Sequence, residues 1–593
     1  MHLGFGWWQL VLASGAVATW EWSSQALNNS GRAADPLEPT LKLTSPPLYR
    51  RQAQSRFLNE NSQKFVVNGT AIPEVGFDVG ESYAGLLPIN GTNDPNQLYF
   101  WFFPSADPEP HDEILIWLTG GPGCSSVGEL LQENGPFLWP PGVFKPVRNK
   151  WSWHRLTNVV WIDQPVGAGF SQGVVTARNE FDVARQFMGF WKNFVDVFGL
   201  QNFKVYVTGS SYSGLYCPYI AHEMIDAEDP EYFDVGGMMI FDALYSKDAV
   251  SQDIPMVPFV DSWQRAFSFN QTFTELLHTR ADECGYTQYL EEFLVFPPAG
   301  EQPSDLPGYN EDGFQKPECN MISQVFSAAI ELNPCFTVYS VFDHCPRPHD
   351  PLGFSGGSFV VHPDAGPVYF DRPDVKAAIN APADTEWVFC SSQAGRAVFV
   401  DGVDESLNGG PAAQPVLPRI IETTGNVILG HGARDFVLTA AGTLLAIQNI
   451  TWGGVRGFQT EPRNPLFAPY HSDEAFDVLA GAGIFGSWHE ERGLTYFGVE
   501  GAGHFLTIDQ PAVAFRAVEI LLGRVEDFQS TVAFTTDANA TQQPTLDLNA
   551  AFSRASALGS TAGGRESSGA SLGEGWPTMA GIVLAWLVLT LLV

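Results

Sequence analysis

Three short stretches each set one chemically capable side chain just beyond an apolar run. The first is Gly209-Ser210-Ser211-Tyr212-Ser213-Gly214, which follows Lys204-Val205-Tyr206-Val207-Thr208 and precedes a helically spaced stretch, Tyr216 to Met224. A strand, a tight turn carrying a serine and then a helix is the context of a nucleophile elbow. Its glycines permit a turn too sharp for side chains on both sides, and the helix N-terminus behind the serine favours an anionic transition state. The second stretch, Asn426-Val427-Ile428-Leu429-Gly430, runs into Gly432-Ala433-Arg434-Asp435-Phe436. The third, Tyr496-Phe497-Gly498-Val499, runs into Gly501-Ala502-Gly503-His504-Phe505. Serine, acid and histidine in that chain order suit acyl transfer by a Ser-Asp-His triad. The candidate catalytic residues are Ser211, Asp435 and His504.

A fourth segment supplies the oxyanion site such a triad needs. Glu113-Ile114-Leu115-Ile116-Trp117-Leu118 reads as a buried strand and leads into Thr119-Gly120-Gly121-Pro122-Gly123-Cys124-Ser125-Ser126. Backbone free of side chains lets N–H groups approach a substrate oxygen. The expected donors are those of Gly121 and of Tyr212, the residue after the nucleophile. No H-E-x-x-H, paired C-x-x-C or P-loop pattern is present, so neither a metal nor an organic cofactor is implied.

Positioning these groups requires the fold to place all four loops at one edge of one sheet. In α/β proteins functional groups gather beyond the carboxyl ends of parallel strands. The predicted class is α/β: an α/β-hydrolase fold with a central, mostly parallel sheet and a largely helical, disulfide-stapled cap insertion. The catalytic domain is expected over residues 61–525. Its cap is expected over about 246–386, between the strand candidate Met238-Met239-Ile240-Phe241 and the Asp435 strand.

These segments, with Glu133-Asn134-Gly135-Pro136, Asn158-Val159-Val160-Trp161-Ile162-Asp163-Gln164-Pro165-Val166-Gly167 and Asp509-Gln510-Pro511, resemble the serine carboxypeptidases, and most of all their secreted fungal branch. The resemblance runs from about Asn61 to about Leu522. It implies removal of single C-terminal residues from peptides through an acyl-enzyme. It also implies a Cys124–Cys390 disulfide and a site for the substrate's terminal carboxylate built from Thr119, Gly120, Glu133 and Ser210.

The chain departs from the family pattern within that site. The family has Asn where this chain has Thr119 and Glu where it has Ser210; paired glutamates there share a proton at low pH. Glu133 is therefore expected to have lost its partner, leaving an intact acyl-transfer machine with weakened or altered C-terminal selection. On that expectation Thr119→Asn with Ser210→Glu raises carboxypeptidase activity. Ser213 stands where the family usually has Ala, and Phe505 where it usually has Met. An esterase or acyltransferase using the same triad, or a catalytically silent surface binding protein, are the competing readings.

The 593 residues carry a formal net charge of −35 and are 45% hydrophobic. That is ample for a large core, and it argues against nucleic acid and anionic membrane surfaces as partners. Residues 1–18 read as a signal peptide ending at Ala16-Val17-Ala18, and 19–60 as an N-terminal arm or leader. Six N-x-S/T sequons, at Asn28, Asn68, Asn90, Asn270, Asn449 and Asn539, suit secretion. Residues 526–570 read as a Ser/Thr/Gly-rich stalk, and 571–593 as a GPI signal or hydrophobic membrane tail. Among the seven cysteines, Cys284, Cys319, Cys335 and Cys345 are expected to staple the cap, for instance as a nested pair, Cys284–Cys345 with Cys319–Cys335. Cys217 is expected to be a buried free thiol.

Overall fold

The computed structural model describes residues 55–537 except 92, 110, 354–366, 408–414 and 472–481. The expected signal peptide, most of the N-terminal arm, most of the stalk, the anchor, Asn28 and Asn539 lie outside the described residues.

Eleven strands form one sheet. In chain order they are β1 (Val66–Val67), β2 (Ser82–Pro88), β3 (Gln97–Phe103), β4 (Glu113–Leu118), β5 (Asn158–Asp163), β6 (Lys204–Ser210), β7 (Asp234–Phe241), β8 (Val427–Gly432), β9 (Asn464–Ala468), β10 (Gly483–Glu491) and β11 (Leu494–Val499). Their spatial order is β1-β2-β3-β5-β4-β6-β7-β8-β11-β10-β9. The middle of the sheet, from β5 through β11, is parallel, and the flanks are antiparallel. This is the α/β-hydrolase architecture that the residues predicted.

The strands of the parallel centre are buried on both faces, and so are nearly continuous apolar runs. In β4, Ile114, Ile116 and Leu118 enter the core on one side while Leu115 and Trp117 enter the other, as a period of two requires. The helix α2 (Glu180–Phe198) covers the first face with Val183, Phe187, Phe190, Phe194 and Phe198. Asn179 caps its start by accepting from Asp182 N–H at 3.0 Å, and Gly199 ends it with φ 68°. The helix α3 (Ser213–Asp226) follows β6 directly.

The insertion is helical, as expected. Its helices α4 (Met256–Ser262), α5 (Gln264–Phe267), α6 (Gln271–Glu283), α7 (Tyr286–Phe293) and α8 (Met321–Leu332) pack around their own apolar cluster. That cluster includes Met256, Leu277, Tyr286, Met321, Val325 and Phe336, and it reaches Phe436 beside the Asp435 loop.

The nested cap disulfides are overturned. Cys284 pairs with Cys319 and Cys335 with Cys345, at Cα separations of 5.7 and 5.2 Å. The reason is the 12-residue helix α8 that stands between Cys319 and Cys335. It spans about 18 Å, far beyond the reach of a disulfide. Cys124 pairs with Cys390, as the resemblance implied, and Cys217 is free and buried. Burial pushes its thiol well up, so it stays protonated and unreactive.

The packed chain also runs past both expected ends. Phe57 is buried before residue 61, and Phe528 and Phe534 are buried within the segment read as stalk. Thr535 N–H donates to Glu519 Oε1 at 2.6 Å, which ties that segment to the helix Pro511–Leu521. Among the described residues no helix is long and apolar enough to cross a membrane.

Candidate active site

Ser211 sits on the turn between β6 and α3 with φ 62°, a left-handed conformation that non-glycine residues rarely adopt. Backbone hydrogen bonds hold it there. Its N–H donates to Phe241 O at 2.9 Å, and its carbonyl accepts from Leu244 N–H at 3.1 Å. The loop after β4 lies directly against this turn. A Cβ on Gly120 would fall 2.3 Å from Tyr212 N and 2.7 Å from the Ser211 Cβ. Gly121 has φ 115°. Gly120 thus lets the loop after β4 approach the Tyr212 backbone, one residue before Gly121, the other expected oxyanion donor. Ser213 keeps the turn intact because its hydroxyl donates to Leu118 O at 2.7 Å.

The loop carrying Gly120 and Gly121 is anchored twice. The buried Asp163 at the end of β5 accepts from Ser125 Oγ at 2.8 Å and from Val127 N–H at 3.2 Å. Ser125 in turn caps α1 (Ser126–Glu129), which continues into a wider helical turn, Leu130–Asn134. On the other side the Cys124–Cys390 bond is flanked by Ser125 N–H to Phe389 O at 2.8 Å and Ser391 N–H to Gly123 O at 3.0 Å. This explains why the blocks around residues 117–126 and 158–167 occur together.

Asp435 and His504 meet from the ends of β8 and β11, with His504 Nδ1 2.7 Å from Asp435 Oδ2. Asp435 Oδ1 accepts from Leu438 N–H at 3.1 Å. Both side chains are buried. The His504 N–H donates to Tyr339 O at 2.8 Å, and the Tyr339 ring lies over the imidazole with centroids 5.2 Å apart. Phe505 packs on the same tyrosine. Tyr339 comes from the cap loop closed by Cys335–Cys345, whose Val338 carbonyl also accepts from Phe436 and Val437 N–H. The cap is therefore built into the loop that carries the acid. Nothing in the spacing of Tyr339 signalled this.

Burial opposes a charged imidazole and lowers His504 to about 4, with the neighbouring Glu129 acting against the shift. His504 is thus a neutral base over most of the acidic range. Its Nδ1 is taken by Asp435.

Asp242, at the end of β7, and His431, in β8, support Asp435 from behind. Asp242 Oδ1 accepts from Gly432 N–H at 2.6 Å. His431 Nε2 lies 2.8 Å from Leu438 O, and its Nδ1 lies 2.9 Å from Thr443 Oγ1. Asp242, His431 and Asp435 could each offer one ligand atom to a metal within 4.8 Å. Their chemistry fits a metal poorly, because both nitrogens of His431 and most of the carboxylate oxygens are already engaged in hydrogen bonds. Burial and the neighbouring Asp435 push the Asp242 carboxyl well up, and burial pushes Asp435 up as well, against hydrogen bonds from Leu438 and Val437.

Of the four residues expected at the carboxylate site, Thr119 and Ser210 both hydrogen-bond to Glu129, whose charge also acts on Glu133. Thr119 is buried at the end of β4, Ser210 is buried beside Ser211, and Glu133 is buried on the turn after α1. Gly120 closes the group from the backbone side. Glu133 Oε2 accepts from Thr507 Oγ1. The expectation that Glu133 has no acidic partner is overturned. Glu129, four residues earlier, is its acidic neighbour: its carboxylate accepts from Trp117 Nε1 at 2.7 Å and from Ser210 Oγ at 3.3 and 3.4 Å. Burial raises Glu129 to about 7, opposed by hydrogen bonds from Thr119, Trp117 and Ser210. Burial, and then the charge of Glu129, hold Glu133 well above its usual range. The sequence signal for Glu129 was its position one helical turn before Glu133.

Of the described sequons, Asn68, Asn90 and Asn270 are exposed. Asn449 is half-buried, and its Oδ1 accepts from Gln302 N–H at 2.9 Å.

A serine on a strand-to-helix elbow, an Asp–His pair from later strands and a glycine loop against the elbow define an α/β-hydrolase. Comparison with known proteins narrows the class. Residues 73–524 match the family model described as serine carboxypeptidase. A probable serine carboxypeptidase of Arthroderma benhamiae is 49% identical over 493 residues, covering 81% of this chain and 90% of that protein. Serine-type carboxypeptidase F of Aspergillus niger is 40% identical over 517 residues, covering 84% of this chain and 93% of its own. The fold also matches the crystal structure of Kex1Δp, a prohormone-processing carboxypeptidase from Saccharomyces cerevisiae. That match has TM-score 0.58 and 22% identity, over 78% of this chain and 96% of that one. This chain belongs to the serine carboxypeptidase family, and is a peptidase of the hydrolase class.

Proposed function

We propose that the chain releases single C-terminal residues from peptides through an acyl-enzyme on Ser211. The observation that carries this reading is the 2.7 Å contact between His504 Nδ1 and Asp435 Oδ2, together with a serine held at φ 62° on the strand-to-helix elbow. Ser211 Oγ attacks the scissile carbonyl carbon while His504 Nε2 takes its proton. Asp435 orients the imidazole and stabilises its charged form. The oxyanion is received by the N–H groups of Gly121 and Tyr212. The C–N bond then breaks as His504 returns the proton to the leaving amine. Water repeats the attack and frees Ser211. Thr119, Gly120, Ser210 and Glu133 lie where the terminal carboxylate of the substrate binds.

The setting proposed for this activity is the cell surface. An apolar leader, the three disulfides and the exposed sequons suit the secretory pathway, and the small-residue, spacer and apolar-tail pattern at the C-terminus suits a GPI anchor. Release of the protein from cells by a phosphatidylinositol-specific phospholipase tests the anchor.

The activity is tested by C-terminal residue release from N-blocked dipeptides over pH 3–8, comparing the enzyme with Ser211→Ala. Loss in the mutant is the expected result. Equal rates in both proteins would remove Ser211 from the chemistry. An inert enzyme whose Ser211 still reacts with a fluorophosphonate would transfer the triad to ester or acyl-transfer substrates.

A further inference from the structure

We propose that Glu129 is a specificity-determining residue that reads the terminal carboxylate of the substrate together with Glu133, in the place that the family's glutamate at position 210 would occupy. The inference rests on the carboxypeptidase reading above and adds a residue to it.

The geometry is specific. Glu129 is 3% exposed and closes α1, whose start is locked by Ser125 and Asp163. Two fixed donors hold its carboxylate, Trp117 Nε1 from β4 and Ser210 Oγ from the residue before the nucleophile. A serine at 210 is short enough to leave that space, and the Glu129 carboxylate has entered it. Glu133 lies four residues on, over the next turn of the helical ladder, so the two acids approach the site from one face.

One buried polar atom here lacks a partner, Glu133 Oε1, and the Thr119 hydroxyl makes only a loose contact, with Glu129. Native structures seldom leave such atoms unpaired unless a ligand or water completes them. A carboxylate ligand suits them: it accepts from the Thr119 hydroxyl and from a protonated acid. Two buried acids side by side ionise together only at high cost, so one or both keep a proton at acidic pH. The charged and titratable groups facing the pair are His504 and Tyr339 around Glu129, and Asp242 and Asp509 around Glu133. Of these, Asp242 and Asp509 disfavour a negative charge on Glu133, while Tyr339 is uncharged. When Glu129 ionises it repels a terminal carboxylate, so binding weakens while the acyl-transfer groups stay in place.

The test uses the full-length protein, with Glu129→Gln and Glu129→Ala. The substrates are an N-blocked dipeptide with a free C-terminus and the same dipeptide as its C-terminal amide. For the wild type, KM for the free acid rises about tenfold or more between pH 5 and pH 8 while kcat changes less, and the amide shows no such rise; a hydrogen bond to a charged group has that magnitude. In Glu129→Gln, which still accepts from Trp117 but does not titrate, the rise is blunted. Glu129→Ala raises KM for the acid at pH 5 roughly 10- to 100-fold and leaves the amide within a fewfold. Superimposable KM–pH curves for the wild type and Glu129→Gln would overturn the proposal. Binding of the blocked dipeptide to Ser211→Ala, with and without Glu129→Ala, is read by calorimetry at pH 5. This arm does not depend on turnover, so an inactive enzyme overturns the peptidase reading, and unchanged affinity overturns the role of Glu129. Thermal unfolding of each variant, with fluorophosphonate labelling of Ser211 in those that retain it, separates misfolding from loss of the subsite.

Discussion

Ser210→Glu restores the residue that the family pattern has beside the nucleophile, and a rebuilt carboxylate site predicts that it does harm. The Ser210 hydroxyl is 3.3 and 3.4 Å from the two Glu129 oxygens, and both residues are buried. A glutamate side chain there has to displace the Glu129 carboxylate. Overpacking of this kind costs about 1–3 kcal/mol. Two ionised carboxylates about 4 Å apart repel by about 4 kcal/mol at an effective dielectric of about 20. Protonation of either acid relieves the second cost, so the penalty is largest above pH 7 and smallest near pH 5. The expected outcome is a lower melting temperature at pH 8 than at pH 5, with free-acid dipeptide hydrolysis reduced roughly 10- to 100-fold in kcat/KM. Removing Glu129 makes room, so Ser210→Glu with Glu129→Ala recovers activity over Ser210→Glu alone, with a coupling of about 2 kcal/mol. The assay is a double-mutant cycle on kcat/KM and thermal midpoint at both pH values. A Ser210→Glu enzyme that is more active than the wild type, equally stable and indifferent to Glu129 would refute the reasoning, because the space beside Ser210 would then be empty.

Three further outcomes follow from the same geometry. The pH profile of kcat/KM on free-acid dipeptides is bell-shaped, falling below about pH 4 as His504 becomes charged and above about pH 7 as Glu129 loses its proton; a flat profile from pH 3 to 8 would contradict both assignments. Because the folded protein raises Glu129 from 4.5 to about 7, the neutral acid is the form that suits the fold, and about 3 kcal/mol of stability present below pH 4.5 is lost as pH rises past 7. Urea unfolding at pH 4.5 and 8 checks this, with Glu129→Gln expected to narrow the difference. Asp435→Asn leaves the fold intact but removes the acceptor that orients His504, lowering kcat about 10³- to 10⁴-fold with Ser211 labelling slowed in parallel; a drop of less than tenfold would assign the orienting role elsewhere.

The elements were legible where periodicity and local turn chemistry decide them. Glu113–Leu118 reads as a strand because it is continuously apolar, and the parallel centre of a sheet buries both faces. The serine elbow, the two glycine loops and the Asp and His loops are local patterns whose backbone demands appear in residue type. The cap resisted closer reading because its connections are made between segments far apart in the chain. The spacing of the four cap cysteines leaves their pairing open, and α8, standing between Cys319 and Cys335, decides it. Phe528 and Phe534 read as part of a stalk because two aromatics in a polar segment carry no period, yet the core takes both.

The amino-acid sequence by itself determined the class, the order and identity of the triad candidates and the Cys124–Cys390 link that family resemblance implied. These depend on residue type at short range, on the order of strands along the chain or on close family likeness. Only the tertiary structure decided that Glu129 lies against Ser210 and acts on Glu133. Glu129 and Ser210 are 81 residues apart, and a missing side chain at one position says nothing about which distant group fills the space. The same holds for Tyr339, brought over His504 by a cap loop 165 residues earlier in the chain. Packing density forces such vacancies to be filled, and three-dimensional proximity selects the residue that fills them.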